Sequence, residues 1–238
     1  MALAVSKFDD MRVKIDFQRA MVAPPGAREV ILVRHGACDP PAADGLIAGR
    51  SDPSLNERGR EEAAAAGERL ARESVAAVFI SHLRRTEETA AAILDRHPLE
   101  PAVAEDIGEI YLGEWEGHGI HSRGERGDPE LARVFAEQRW DLVPGSEPAD
   151  EWELRVRRGL EAAADAGADG KVVIAVTHAA VIAEFCRQVT GSEPFAFLLN
   201  SNGSLTRLMR MESGNWKLLS FNDTEHIHAY RARNDAAA

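Results

Sequence analysis

His35 and His178 each stand just beyond a short run of apolar residues, with arginines beside the same kind of position: Arg34 directly before His35, and Arg84 and Arg85 just past a third run that ends in Ser81. Guanidinium presents planar, paired N–H donors that match the oxygens of a phosphate dianion, and an imidazole held among such groups has a lone pair with which to attack phosphorus. Taken singly, a histidine at a strand end is more often structural and an arginine at a helix start more often a solvated charge. The conjunction of the two residue types at three separate strand ends is what points to an anion site.

The elements that must position these groups are legible in the pattern. Val30 to Val33, Val75 to Ser81 and Val172 to Val176 are runs suited to strands buried on both faces of a parallel sheet. Between them lie helical stretches. Asn56 opens NERGREEAAAAGERLARE with an N-cap residue followed by early acids, a body ending at Leu70 and Ala71; TEETAAAILDRH starts at Thr86 and ends before Pro98; ADEWELRVRRGLEAAADAG and HAAVIAEFCRQVTG follow, the last closed by Gly191. Strand and helix in alternation mean parallel strands joined by right-handed crossovers, hence an α/β fold. In such a sheet ligands sit at the carboxyl ends of the strands, where the histidines and arginines stand. NGSLTRLMRM and NWKLLSFN alternate as a closing strand pair.

Composition bounds the remaining possibilities. The chain has 238 residues, 45% hydrophobic and 28% charged, which allows one large globular domain or two small ones. A formal charge of -11 disfavours nucleic acid or an anionic membrane surface as partner. Two cysteines, Cys38 and Cys186, do not make a disulfide scaffold, and no window approaches the roughly 18 apolar residues of a membrane span. Lys7, Asp9, Asp10, Arg12 and Lys14 interrupt the N-terminal apolar residues, so no signal-peptide core is expected and a cytoplasmic setting is. Residues 1–28 read as an extension closed by APPGARE, 29–230 as the domain, 118–148 as a cap or lid excursion rich in Gly, Arg and Glu, and 231–238 as a frayed tail.

VRHG at Val33 to Gly36, followed by GRSDPSLNERGREEA from Gly49, resembles the histidine phosphatase superfamily, which includes the cofactor-dependent phosphoglycerate mutases. Later segments keep the family's order: SHLRRTEETA from Ser81, IGEIYLGEWEG from Ile107, VTHAAVI from Val176 and NDTEHI from Asn222. The resemblance covers nearly all of the chain from Glu29 to Ile227. It implies a three-layer α/β/α sandwich with a mostly parallel sheet, and His35 as the nucleophile that takes up the phosphoryl group. Arg34, Arg85 and His178 would hold its oxygens, with Gly36 and Arg50 as further candidates. Glu109 takes the position of the family's proton donor. The resemblance implies no metal and no cofactor.

The departures are specific. Ala37, Cys38, Asp39, Pro40 and Pro41 stand where most members carry Glu or Gln, then Thr or Ser, then Trp-Asn, so the family's phosphate-site Asn is unassigned. His82, Thr86 and Glu88 replace its Pro, Ala and Gln, and the spacing to Thr89 and Ala90 favours Arg85 over Arg84. Arg50 reads as solvated rather than ligand-bound. His118 and His121 with Glu116, and His226 with His228, read as loop or surface residues rather than metal ligands. Cys38, close to the arginines, has the setting for a lowered pKa but no general base. Trp115 reads as a packing anchor.

The activity this implies is hydrolysis of a small phosphorylated substrate through a phosphohistidine, by a metal-independent phosphatase. PGSEPADEWELRVRRGL resembles the P-G-G-E-S segment of the phosphatase members, and the stretch after Gly117 is short for a mutase. A phosphoglycerate mutase-type phosphoryl transferase is the alternative. A protein phosphohistidine phosphatase would need an open site without a cap, and a non-catalytic phosphate-binding relative would lack a member of the catalytic set. A homodimer is implied by analogy alone. Arg123, Arg126 and Arg139 remain unplaced, and with them the substrate.

Overall fold

The structure is a computed structural model that describes residues 24–39, 49–117, 120–168 and 170–236, apart from the side chains of 120–122 and 235. Six strands form its sheet: β1 (Arg28–Arg34), β2 (Val75–Ile80), β3 (Ala102–Val103), β4 (Val172–Thr177), β5 (Leu205–Arg210) and β6 (Trp216–Asp223). Their order is β3-β2-β4-β1-β5-β6. The first four are mutually parallel, while β5 runs antiparallel to β1 and β6 antiparallel to β5. The three apolar runs are thus the central strands, and all six residues of β4 are buried.

Seven α-helices lie among the described residues: α1 (Glu57–Leu70), α2 (Arg84–Leu94), α3 (Ile120–Glu125), α4 (Pro129–Glu137), α5 (Ala149–Asp165), α6 (Ala179–Thr190) and α7 (Glu225–Asp235). Ala66 and Leu70 of α1 and Ala90 and Ile93 of α2 pack with Ile31, Val33, Ile174 and Val176 on one face of the sheet. Val156, Leu160 and Ala163 of α5 and Val181, Ile182 and Phe185 of α6 pack with Val30, Leu32, Val173 and Ala175 on the other. The alternation of each central strand therefore feeds two helix layers, and the expected three-layer α/β/α arrangement is observed.

Asn56 caps α1, its side chain accepting from Gly59 N–H at 2.8 Å. Gly191 closes α6 in the left-handed conformation, with φ of 70°. Three boundaries differ from expectation. Helix α2 starts at Arg84, two residues before Thr86, because Leu83 in extended conformation serves as its cap without a side-chain bond. The two-residue β3 is exposed, which leaves no hydrophobic pattern to announce it. The closing helix runs to Asp235, so positions expected to fray from 231 onward are still helical. Between β3 and β4 the chain departs from the sheet through α3 and α4 and 3-10 turns at Gly113–Trp115 and Trp140–Leu142. Trp115 is buried at the root of this departure, as a packing anchor should be.

At the end of β1 the backbone is held on both sides: Arg34 N–H donates to Ser204 O and His35 N–H to Thr177 O. The next turn crosses α1 at glycine-to-glycine distance. A Cβ on Gly36 would overlap the Gly59 carbonyl, and one on Gly59 would overlap the Ala37 backbone. In an open helix Gly→Ala gains about 0.5–1 kcal/mol. Here the overlap is with backbone, which cannot rotate away, so Gly59→Ala is expected to destabilise the fold by about 1–3 kcal/mol, read by urea unfolding.

Candidate active site

Register places the site. Arg34 pairs with Thr177 across β1 and β4, and Ile80 with Val176 across β2 and β4, so His35, His178 and Ser81 leave the sheet at one level. The His35 and His178 ring centroids are 5.2 Å apart. A cavity of about 370 Å³ opens there, with Arg34, His35, Arg85 and Glu109 on its wall, together with Gly49, Asn200 and Asn202.

His35 Nδ1 lies 2.8 Å from Gly36 O. A carbonyl can only accept, so Nδ1 carries the proton and Nε2 keeps its lone pair. Burial, then Arg85 and Arg34, hold the His35 pKa well below the usual 6.5, so the ring is neutral. His178 has the opposite tautomer. Its Nδ1 accepts from Arg85 Nε at 3.2 Å, and its Nε2 lies 2.8 Å from Ser81 Oγ. Guanidinium cannot accept, so the proton sits on Nε2 and is donated to Ser81. The expected direct contact of His178 with the anion is therefore not what this geometry offers. The ring is fully buried behind His35 and Arg85, both nitrogens are engaged, and it positions Arg85.

Arg85 and not Arg84 enters the site. Arg84 is exposed, its N–H bonded to Asp52, while the buried Arg85 spends Nη1 on Ser51 O at 2.5 Å and Nη2 on Gly49 O at 2.8 Å. Arg34 donates Nη1 to Asn200 O, and its Nε is buried with no partner. Neither Arg34 nor Arg85 has a carboxylate partner among the described residues. Burial lowers the pKa of both guanidiniums, yet from so high a starting value that they stay charged.

Glu109 follows a 3-10 turn, Glu105–Ile107, that is tied to β4 by Thr177 Oγ1 donating to Ile107 O at 2.7 Å. Its carboxylate accepts from Ile110 N–H at 3.0 Å and, at 3.4 Å, from Ala180 N–H at the start of α6. Burial nonetheless raises its pKa, outweighing those two N–H groups and the attraction of Arg85 and Arg34. From α5, Arg155 Nη1 donates to Asp106 O and Gly108 O, both at 2.9 Å, while its Nε bonds Glu147 at 2.6 Å. This clamp fixes the segment that carries Glu109.

The other candidates divide. Gly36 N–H is spent on Thr89 Oγ1 at 3.0 Å, so Gly36 anchors the turn instead of offering a donor to the cavity. Arg50 follows the lining residue Gly49 but is itself exposed, 3.8 Å from Glu147 and over the Tyr111 ring. Cys38 lines the cavity, but its pKa moves opposite to expectation: burial, with Glu88, Asp39 and Asp52 near, pushes it up to about 11 against the pull of Arg85. His226 bonds Gly203 O at 3.0 Å, while His118 and the His121 side chain lie outside the described residues. Asn200 and Asn202 were not singled out in the sequence. Asn200 Nδ2 donates to Ala179 O and Phe197 O and Asn202 Nδ2 to His35 O, so both brace the site, and Asn200 has spent both its amide N–H groups on the backbone. Ser81 and Arg155 were equally unmarked as positioning residues, though Ser81 sits in a quoted motif.

The family model described as histidine phosphatase superfamily (branch 1) matches residues 30–224. A metal-independent phosphoserine phosphatase of Arabidopsis thaliana is 32% identical over 204 residues, covering 84% of this chain and 83% of its own. A bifunctional protein of Mycobacterium tuberculosis is 36% identical over 150 residues, and the chain spans only 40% of that protein's length. Among solved structures, a mycobacterial glucosyl-3-phosphoglycerate phosphatase superposes with a TM-score of 0.70 at 26% identity, covering 83% of this chain and 100% of its own.

The two tautomers are checkable. Nitrogen-15 spectra at neutral pH are expected to show His35 protonated at Nδ1 and His178 at Nε2, and both rings still neutral below pH 6.5. Because both rings bind a proton less readily folded than unfolded, the stability they contribute is complete above 6.5 and is lost as pH falls toward their lower folded pKa values. His178→Gln is expected to make the acid loss of unfolding free energy shallower in that window.

Proposed function

The chain belongs to the histidine phosphatase superfamily, and we propose that it is a phosphomonoester hydrolase working through a phosphohistidine on His35. The observation that carries this reading is a pair of guanidiniums without a carboxylate partner among the described residues, the buried Arg85 and the half-buried Arg34 with its buried, unpartnered Nε, beside a neutral imidazole whose Nε2 is unprotonated. A buried cation left unpaired is costly, and a bound dianion is the compensating charge. The relatives named as phosphatases support the same reading.

In the first step His35 Nε2 bonds to phosphorus as the ester P–O bond breaks, and the Glu109 carboxyl proton passes to the departing oxygen. The Nδ1–H bond to Gly36 O stabilises the positive charge that the ring acquires. In the second step water adds to phosphorus, the N–P bond breaks, and a proton returns to Glu109. The sum is ester plus water giving alcohol plus phosphate. Arg34 and Arg85 face the charge on the transferring oxygens, His178 holds Arg85 in place, and no step calls on a metal.

Brief mixing with a phosphorus-32 ester, followed by denaturation, is expected to leave an acid-labile, alkali-stable label on the protein. His35→Ala should abolish both label and turnover, and turnover unchanged in that variant would refute the reading. Since His35 must be neutral and Glu109 protonated, kcat/KM corrected for substrate ionisation is expected to peak on the acid side of neutrality. Glu109→Gln should slow an alkyl ester by about 10²–10⁴ and a nitrophenyl ester, whose leaving group needs no proton, far less.

A further inference from the structure

Resting on that phosphatase reading, we propose that the substrate is a phosphomonoester of an uncharged, apolar alcohol, not one whose alcohol carries a carboxylate or a second phosphate. Around the anion site the cavity wall is Ile110, Leu112, Phe135, Trp140, Leu198 and Leu199. Leu199 is 90% exposed and Phe135 46%, large apolar side chains left uncovered at the opening of a cavity whose polar end is the catalytic one. Uncovered apolar surface continuous with a reaction site favours an apolar ligand group there.

Charge complementarity gives the same answer. Arg34 and Arg85 are the only lysine or arginine side chains on the described wall, and both are at the phosphate end. Outside that wall, Arg155 is paired with Glu147 and Arg139 with Asp141 at 2.5 Å, while the exposed Arg50 lies 3.8 Å from Glu147 and over the Tyr111 ring. A smaller cavity of about 110 Å³ shares Trp140 and Leu198 with the first, and there Arg187 is taken by Glu153 and Glu184. A leaving group bearing its own anion would sit beside the Glu109 carboxyl and the apolar wall with no unpaired cation on the described wall to receive it. The same lack argues against a mutase, which must hold a phosphorylated acid through a second transfer.

The test compares four esters of aliphatic alcohols, so that leaving-group basicity varies little: 2-phenylethyl phosphate and n-hexyl phosphate against O-phosphoserine and 3-phosphoglycerate, each with wild type, His35→Ala and Leu199→Arg. The expected result is a kcat/KM at least about tenfold higher for the apolar pair, lost in His35→Ala, and a ratio shifted about tenfold toward 3-phosphoglycerate by Leu199→Arg. Equal or reversed preference, with turnover still dependent on His35, overturns this proposal and leaves the phosphatase reading standing. A preference that Leu199→Arg does not move overturns its assignment to this wall. No His35-dependent turnover of any ester overturns the phosphatase reading itself, and this proposal with it.

Discussion

Two guanidiniums at one sheet edge, Arg85 buried and Arg34 half-buried, with no carboxylate partner among the described residues, are the constraint to which the rest of this molecule answers. An ion pair would be the simplest way to bury a charge, but it would also fill the site. Arg85 is instead held by the carbonyls of Gly49 and Ser51 and by the lone pair of His178, neutral acceptors that fix direction and leave the positive charge uncancelled. Arg34 is fixed the same way, by the Asn200 carbonyl. The chain as a whole carries -11, so its long-range field repels anions. Attraction is confined to the few ångströms where these two groups stand and water is sparse.

Glu109 shows why burial matters to the chemistry. A carboxylate close enough to protonate a departing oxygen is close enough to neutralise Arg34 or Arg85. Desolvation resolves the conflict by favouring its protonated form, against the nearby arginines and two N–H groups. The same desolvation keeps His35 unprotonated. One dry environment thus moves an acid up and a base down, which is the arrangement a proton donor and a nucleophile both need. Placement then depends on carboxylates used outside the cavity wall. The buried Glu62 accepts from Ala37 N–H at 2.9 Å and from Arg58 at 2.8 Å, tying the turn after His35 to α1. Glu147 orients Arg155, whose guanidinium grips the backbone before Glu109. Pairs like these contribute modestly to stability, but they set positions.

The sheet, and the residues it brings together at one edge, were legible because a strand buried on both faces leaves an unbroken apolar run, and the residue after such a run stands at that edge. His35, His178, Arg34 and Arg85 follow from that logic, and Glu109 only from its motif. What sequence could not carry was direction. His178 stands at the right level yet turns both nitrogens inward, because Ser81 and Arg85 are its nearest partners. Cys38 stands near cations, but its burial and acidic neighbours outweigh them. Arg155 resembles any charge on a polar helix face until the Asp106 and Gly108 carbonyls are seen beneath it. The exposed two-residue β3 has no pattern because it buries nothing.

The cavity has two ends built by different rules. Its polar end comes from strand termini whose register is set by the core, where a one-residue slip would turn every buried side chain to the wrong face. Its apolar wall comes from α4, the turn at Trp140 and the loop before β5, which join the sheet's connections and not its ladder. Phe135, Trp140 and Phe195 support one another there by ring contacts, at centroid distances of 4.7 to 6.0 Å. Substitution on that wall changes what the leaving group meets without touching the register that holds His35 against His178. A fold arranged in this way can keep one arrangement at its strand termini while the wall beyond it varies, so it is the wall, and not the sheet, that speaks to the ester.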